Sequence, residues 1–440
     1  MAESKSLNRR TFLKTAGAAA AFAAGCARSR IIPPSALGVG DHIAPSGRIV
    51  MGAIGVGGMG TGNLHGFLDK QEVQVVAVCD VDKRERDKAK AIVDDRYGNA
   101  DCKAYPDFRE MIGRGDLDAV SLAVPDHWHA IISIAAARAG LDIYGEKPLA
   151  RSIREGQAVC DAVRRHGCIW QTGSWQRSVA DFRRACELVR SGRIGEIHTV
   201  EVGLPTGARG PLQPKQPVPE GLDWDFWLGP APWIPYRPFG RDPEQRCHWN
   251  WRWIMDYSGG QLTDWAGHHI DIAHWGLGLD HTGPVTIEGK GDYPEDGLYN
   301  APAQYSFTCT YANGVSMTVA NDRRIPMGTK WYGDDGWVHV SRGGLDAQPK
   351  NLLEERIGPG EVTLYVSRDH QQNFLDCVKS RQRTIAPAEI AHRSISVGLL
   401  GEIAMLTGRR IKWDPDKEEI IGDPGASQLL GRAYREPWSL

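Results

Sequence analysis

The stretch from Arg48 to Asp80 restricts the fold more than any other part of the chain. Arg48-Ile49-Val50-Met51-Gly52-Ala53-Ile54 is a short, β-branched apolar run that ends in Gly55-Val56-Gly57-Gly58-Met59-Gly60. Gly62 to Lys70 then has helical composition, so the order is strand, tight turn, helix. Each glycine answers a separate steric demand: Gly55 permits the turn, Gly57 lets backbone approach a phosphate, and Gly60 lets the helix close on the strand. A second strand, Val73 to Cys79, ends at Asp80, about 20 residues past the last glycine, where a carboxylate accepts both hydroxyls of a ribose. The helix N-terminus attracts phosphate. The segment is therefore built for a dinucleotide, with Gly55, Gly57, Gly58, Met59, Gly60 and Asp80 as contacts. Asp80 repels a 2′-phosphate and favours NAD, while Asp82, Lys83 and Arg84 leave NADP as the less favoured alternative.

Two further strand-like runs, Ala119 to Val124 and Leu141 to Gly145, flank the helix-like Trp128 to Ala139. Such alternation makes a doubly wound parallel sheet, whose ligands lie beyond the carboxyl ends of its strands. Pro125-Asp126-His127-Trp128-His129 and Glu146-Lys147-Pro148 then face the nicotinamide, with Pro125, His127, His129, Glu146 and Lys147 as cofactor contacts. A solubilising lysine rarely follows a buried strand directly, which makes Lys147 a candidate for chemistry.

These landmarks, with Gly259-Gly260-Gln261-Leu262-Thr263-Asp264-Trp265-Ala266-Gly267-His268-His269-Ile270-Asp271 in the second half, resemble the Gfo/Idh/MocA family of glucose-fructose oxidoreductase and inositol dehydrogenase relatives. The resemblance spans roughly Arg48 to Thr407. It implies an α/β fold: an N-terminal Rossmann doubly wound parallel sheet, then a C-terminal α+β domain with a large open, mainly antiparallel sheet. It also implies Lys147, Asp264 and His268 as the catalytic trio, and places Gln176 and Arg177 of Gln171-Thr172-Gly173-Ser174-Trp175-Gln176-Arg177 beside the nicotinamide and substrate. On chemical grounds, a spacing of four on a helix sets Asp264 beside His268, so the carboxylate can orient the imidazole and raise its basicity. Histidine titrates near neutrality and suits the proton of a reacting hydroxyl, which Lys147 would hydrogen-bond. Trp175, Arg177, His269 and Trp249 join Lys147 and His268 as substrate candidates. The departures from the family pattern are His269 after His268, a tryptophan-rich insertion and an export signal.

Strand-like segments recur at Ile197 to Leu204, Val285 to Gly289, Ala303 to Tyr311, Val315 to Ala320 and Gly336 to Ser341. Between Pro205 and Asp264 the composition is unusual, with five prolines from Pro205 to Pro219, then Trp224, Trp227, Trp233, Trp249, Trp251 and Trp253. Indole faces stack on the C–H faces of pyranose rings, and Asp223, Asp225, His248, Asn250 and Arg252 are placed to bond hydroxyls, so the cluster favours a carbohydrate ligand.

At 440 residues the chain exceeds one ordinary core. It divides into residues 1–27 as a signal peptide, 28–47 as a linker, 48–170 as the dinucleotide domain, 171–365 as the substrate and oligomerisation domain, 366–410 as helices returning to the first domain, and 411–440 as an arm. Asn8-Arg9-Arg10-Thr11-Phe12-Leu13-Lys14 before the run Ala16 to Ala24 reads as a twin-arginine export signal, which implies a periplasmic or exported protein. Ala23-Ala24-Gly25-Cys26 also reads as a lipobox, with Cys26 a candidate for acylation and membrane attachment. A formal net charge of −2 offers no basic footprint for nucleic acid. The nine cysteines include no Cys-x-x-Cys pair, so neither a disulfide framework nor a zinc ribbon is expected. His127 with His129, or His268 with Asp271 and His274, match no recognised metal-ligand pattern, and no metal is expected.

The resulting expectation is an NAD-dependent homo-oligomeric oxidoreductase acting on a sugar, polyol or glycoside hydroxyl. A redox-neutral NAD-dependent glycosidase and a non-catalytic sugar-binding surface lipoprotein are the alternatives.

Overall fold

The computed structural model describes residues 43–240, 246–321 and 325–440. The export and lipid-attachment readings fall on residues 1–42 and lie outside the described residues. Pro45–Gly47 forms one 3-10 turn, with the Arg48 side chain reaching back to the Ile43 carbonyl.

From Ile49 onward the chain first builds a parallel sheet. Its strands are β1 (Ile49–Ile54), β2 (Val73–Cys79), β3 (Lys103–Tyr105), β4 (Ala119–Leu122), β5 (Asp142–Gly145) and β6 (Trp170–Thr172), in the order β3-β2-β1-β4-β5-β6. The order reverses between β1 and β4, which opens a crevice at their carboxyl ends. Every residue of β4 and β5 is buried, as befits strands covered on both faces. The covering helices are α1 (Gly58–Leu68), α2 (Lys83–Tyr97), α3 (Phe108–Ile112), α4 (Asp126–Arg138) and α5 (Ile153–His166). Helix α5 shows how local chemistry sets the boundaries: the Ser152 hydroxyl accepts from the Glu155 amide at its start, and Gly167 at φ 64° ends it.

The second half carries α6 (Ala180–Arg190), β7 (Ile197–Gly203), α7 (Trp224–Leu228) and α8 (Gly260–Leu277). Then follow β8 (Thr286–Asp292), β9 (Gln304–Thr310), β10 (Ser316–Ala320), β11 (Gly328–Gly333), β12 (Gly336–Ser341) and β13 (Gly344–Gln348). Helices α9 (His370–Ser380) and α10 (Ala388–Thr407), strands β14 (Ile411–Asp414) and β15 (Glu419–Ile420), and α11 (Pro424–Gln428) complete the chain. The nine-stranded sheet runs β13-β12-β11-β7-β10-β9-β8-β14-β15 and is antiparallel except where β7 meets β10. Along β9, Tyr305, Phe307 and Cys309 point inward while Gln304 and Ser306 are exposed, the period of two of a sheet buried on one face. This is the expected fold class, a parallel Rossmann sheet followed by a mainly antiparallel one.

Helix α8 lies against that inner face and is buried over most of its circumference. Its approach to β11 needs Gly276, because a Cβ there would stand 2.6 Å from Cζ2 of the fully buried Trp331. Helix α9 returns to the first sheet, where Phe374 meets Phe67 and Tyr144 edge-on. The C-terminal segment crosses the insertion, with Trp438 stacked on Phe226 and edge-on to Trp128.

Overpacking of this kind costs about 1–3 kcal/mol. We predict that Gly276→Ala lowers the unfolding free energy by that amount, read as a lower urea midpoint with an unchanged slope in equilibrium denaturation.

Candidate active site

At the mouth of the crevice the backbone is shaped for phosphate. Gly55 has φ +75°, with the Ala123 carbonyl oxygen only 2.4 Å from where a Cβ would be, and a Cβ on Gly60 would meet the Gly55 oxygen at 1.8 Å. No side chain caps α1, so Gly58 and Met59 open a helix whose first amides are left for an anion. Nothing lies within 4 Å of the Cβ position of Gly58, and Met59 is exposed. Asp80 sits between two amides: Oδ2 accepts from Val56 N at 2.9 Å and Oδ1 from Asp82 N at 2.9 Å. These residues fit a dinucleotide, with the pyrophosphate on the glycine turn and the ribose at Asp80.

The insertion fastens onto the chain just past Asp80. Lys83 N donates to the Gly221 carbonyl and Asp223 N to the Val81 carbonyl. Asp82 takes an ion pair from Arg246 at 2.9 Å and a contact from His248 at 3.4 Å. Burial opposes charge on Asp82, yet the hydrogen bonds from His248 and the Arg84 amide and the charge of Arg246 hold its carboxyl below the usual range. Burial likewise opposes charge on His248, and Asp82 and Asp80 outweigh it and raise the imidazole.

The reaction end is organised by one ion pair between the two halves. Lys147, directly after β5, places Nζ 2.7 Å from Asp264 Oδ1 and 3.1 Å from the Asp264 carbonyl oxygen, both on α8. Arg252 Nε donates to the same Oδ1 at 3.1 Å. Burial disfavours the carboxylate, but Lys147 and Arg252 outweigh it and hold Asp264 far below the ordinary value. Glu146 accepts from Asn63 Nδ2 at 3.0 Å, and burial raises its carboxyl.

His268 is buried, edge-on to Trp265, and its Nδ1 has no hydrogen-bond partner among the described residues. Burial first, then the charges of Lys147 and Arg342, keep it well below the ordinary histidine value. The expected coupling is thus corrected. Asp264 is occupied by Lys147 and Arg252, and desolvation outweighs the carboxylate's pull on the imidazole, so His268 is a neutral base of reduced basicity.

Other candidates sit elsewhere than expected. Arg177 does not reach a substrate: it is fully buried, with Nε 2.7 Å from Asp271 and Nη2 2.8 Å from Asp280. His127 points away from the cofactor crevice, with Nε2 3.1 Å from the Trp227 carbonyl oxygen and its ring packed against Trp227 and Tyr257. His129 spends both ring nitrogens on backbone, the Pro148 carbonyl at 2.5 Å and the Val124 carbonyl at 2.8 Å. It braces the loops after β4 and β5 and so positions Lys147, while Pro125 forms the start of α4. Gln176 and His269 are completely buried, 3.4 Å apart, and burial followed by Arg342 brings His269 down to about 3. Among the metal candidates, Asp271 is committed to Arg177 and His274 to the Tyr311 hydroxyl.

The tryptophans divide. Trp224, Trp227 and Trp251 are buried with Tyr236, Phe239 and Tyr257 in the insertion's own core, and Trp253 is buried as well, whereas Trp233 and Trp249 are exposed. Trp175 is 38% exposed. Arg342, which the sequence does not mark out, lies at the turn between β12 and β13 with its guanidinium 4.6 Å from the Trp175 ring and 4.4 Å from the Trp265 ring.

A glycine-turn parallel sheet joined to a broad mixed sheet, with a lysine and an acidic helix meeting at the crevice, defines an NAD(P)-binding oxidoreductase. The chain belongs to the Gfo/Idh/MocA family. Residues 49–174 match the model described as "Oxidoreductase family, NAD-binding Rossmann fold", and residues 206–440 match "Oxidoreductase family, C-terminal alpha/beta domain". The rhizopine catabolism protein MocA of Rhizobium meliloti is 23% identical over 67% of this chain and 78% of its own length. An alpha-N-acetylgalactosaminidase of Shewanella oneidensis is 31% identical over 43% of this chain and 44% of that protein. Among solved structures, the WlbA dehydrogenase from Bordetella pertussis in complex with NADH and UDP-GlcNAcA shares the fold with a TM-score of 0.61, at 16% identity over 83% of this chain and 99% of that one. The aldose-aldose oxidoreductase from Caulobacter crescentus complexed with glycerol gives 0.59, at 18% identity and the same coverage.

Removing one member of a buried ion pair costs about 3–5 kcal/mol. Arg177→Met is predicted to lose that much stability in denaturant titrations, whereas a substrate contact would instead change KM in a protein of unaltered stability.

Proposed function

We propose that the protein oxidises a hydroxyl of a sugar, polyol or glycoside with a tightly retained NAD. The observation that carries this reading is the Lys147–Asp264 ion pair at 2.7 Å beside a neutral, buried His268, at the carboxyl end of β5. NAD, when bound, supplies the hydride acceptor. Asp264 fixes two of the three ammonium protons of Lys147, through its side chain and its carbonyl, and the third remains to bind the reacting oxygen. His268, kept neutral, takes the hydroxyl proton as the carbinol becomes a carbonyl. The carboxylate at Asp80 supports NAD over NADP.

The twin-arginine reading adds a constraint. A protein exported folded carries its dinucleotide with it, and the fastening of the insertion at Asp82 supports retention. The bound cofactor is then recycled within the site, by reducing a second sugar or by passing electrons to an external acceptor, on the exported side of the membrane. The outward face of the nine-stranded sheet, where Tyr332 bonds Glu201 and Lys330 lies over Trp337, is the proposed contact of a homo-oligomer.

The match to the Shewanella oneidensis alpha-N-acetylgalactosaminidase favours a second reading, in which oxidation is transient and a glycosidic bond is broken before the carbon is reduced again. Near-ultraviolet absorbance of the purified protein separates the two. Reduced nicotinamide that persists until an acceptor is added supports the oxidoreductase, and glycoside cleavage without lasting reduced cofactor replaces it with the glycosidase.

Loss of a donor that stabilises charge on the reacting oxygen costs about 10²–10³-fold, and Lys147→Met is predicted to lose kcat within that range while retaining bound dinucleotide. His268 must be unprotonated to act, and its value lies below the ordinary one of about 6.5. The acid limb of kcat/KM should therefore fall below about pH 6.5, as a pH–rate profile on the preferred sugar will show.

A further inference from the structure

Three cations surround a single firmly ionised carboxylate at the reaction centre. Lys147 and Arg252 share Asp264, and Arg342 interacts with Asp264 only at longer range. Arg252 and Arg342 are held alike. The Arg252 guanidinium lies 4.6 Å from the Trp249 ring and 4.4 Å from that of Trp251. Arg342 lies against Trp175 and Trp265, and Trp265 in turn stacks on His269 and meets His268 edge-on. Two indole faces fix the plane of a guanidinium without using its N–H donors. The neighbouring carboxyl, Glu146, is bonded to Asn63 rather than to any of the three cations, and burial raises it.

Arg252 spends donors on Asp264 and on the Trp249 carbonyl. Arg342 has neither an ion pair nor a hydrogen bond among the described residues. An oriented guanidinium with its donors free, one indole away from the catalytic histidine, has the geometry of a two-point receptor for an oxyanion.

We infer that the substrate is an acidic sugar, carrying a carboxylate or phosphate that Arg342 grips while the reacting hydroxyl lies at Lys147 and His268. This rests on the reading of Lys147, Asp264 and His268 as the reaction centre. Trp175 and Trp265 then have a stated task, to hold the guanidinium flat, and the substrate's charge pairs with a guanidinium that has no ion pair among the described residues.

The dinucleotide-loaded protein is titrated with glucuronate, glucose 6-phosphate and glucose, with intrinsic tryptophan fluorescence and calorimetry as binding readouts and cofactor reduction as the catalytic one. A charge-assisted pair is worth about 10- to 100-fold. One acid is expected to bind at least about 10-fold more tightly than glucose, and the identity of that acid assigns the group as carboxylate or phosphate. Arg342→Leu should abolish the preference and Arg342→Lys restore it in part, with melting temperature confirming that both variants fold. Equal binding of glucose and both acids, or a preference that survives in Arg342→Leu, overturns the inference. Binding of the acid through Arg342 without turnover of any sugar keeps the anion site and removes the proposed reaction.

Discussion

The Lys147–Asp264 ion pair is the contact on which the site depends, because its partners come from different halves of the chain. Lys147 stands two residues beyond the end of a fully buried strand, and Asp264 lies on a helix packed against the inner face of the other sheet. Neither element can shift alone without separating two charges in a poorly hydrated space, where an unpaired ion is costly. His129, bonded to the carbonyls of Val124 and Pro148, ties the loop that carries Lys147 to the end of β4. The Ser174 hydroxyl, donating to the Gly267 carbonyl at 2.6 Å, ties α8 to the turn after β6. The pair is thus clamped from both sides, and pre-set geometry of this kind lowers the reorganisation needed during reaction.

That clamp decides the protonation states around it. Asp264 still favours a charged imidazole one turn away, but burial and the charges of Lys147 and Arg342 outweigh it and hold His268 well below the ordinary histidine value. In the proposed reaction this divides the labour: the ammonium is the fixed donor to the substrate oxygen and the imidazole the acceptor of its proton. A spacing of four on a helix shows that two side chains are neighbours, but it does not say which of them a third, distant charge will claim.

The same distinction explains what could be read from the sequence. The glycine turn and Asp80 were legible because close backbone approach to phosphate and hydrogen bonding to a ribose impose residue types at fixed separations. Lys147 was legible because a charged residue is out of place at the end of a buried strand. Arg177 was misread because its partners, Asp271 and Asp280, lie about a hundred positions away, and an arginine in a buried ion pair has the same local sequence as one that meets a ligand. Trp224, Trp227, Trp251 and Trp253 were misread for a related reason, since indoles that pack on one another and indoles that await a sugar have the same composition. Trp224 and Trp227 stack 5.0 Å apart inside the insertion. Strand β11, with a glycine at each end and a lysine between, lacks the apolar alternation that marks β9 and β10. Arg342 carries no periodic signal because it lies in a hairpin turn, and only the fold brings that turn to Trp175 and Trp265.

The insertion's buried tryptophans therefore act at one remove. Trp227 packs on His127 and accepts the Trp128 indole N–H through its carbonyl, which docks the insertion onto the N-terminal turn of α4, and Tyr257 accepts the His127 amide through its carbonyl. One end of the docked segment then reaches Asp82, and the other delivers Arg252 to Asp264. A single apolar core thereby underlies both the fastening at Asp82 and the arginine at Asp264. That shared core suits a cofactor that stays in place through many turnovers, because the segment that supports Asp264 during reaction is the same one that is pinned beside Asp80.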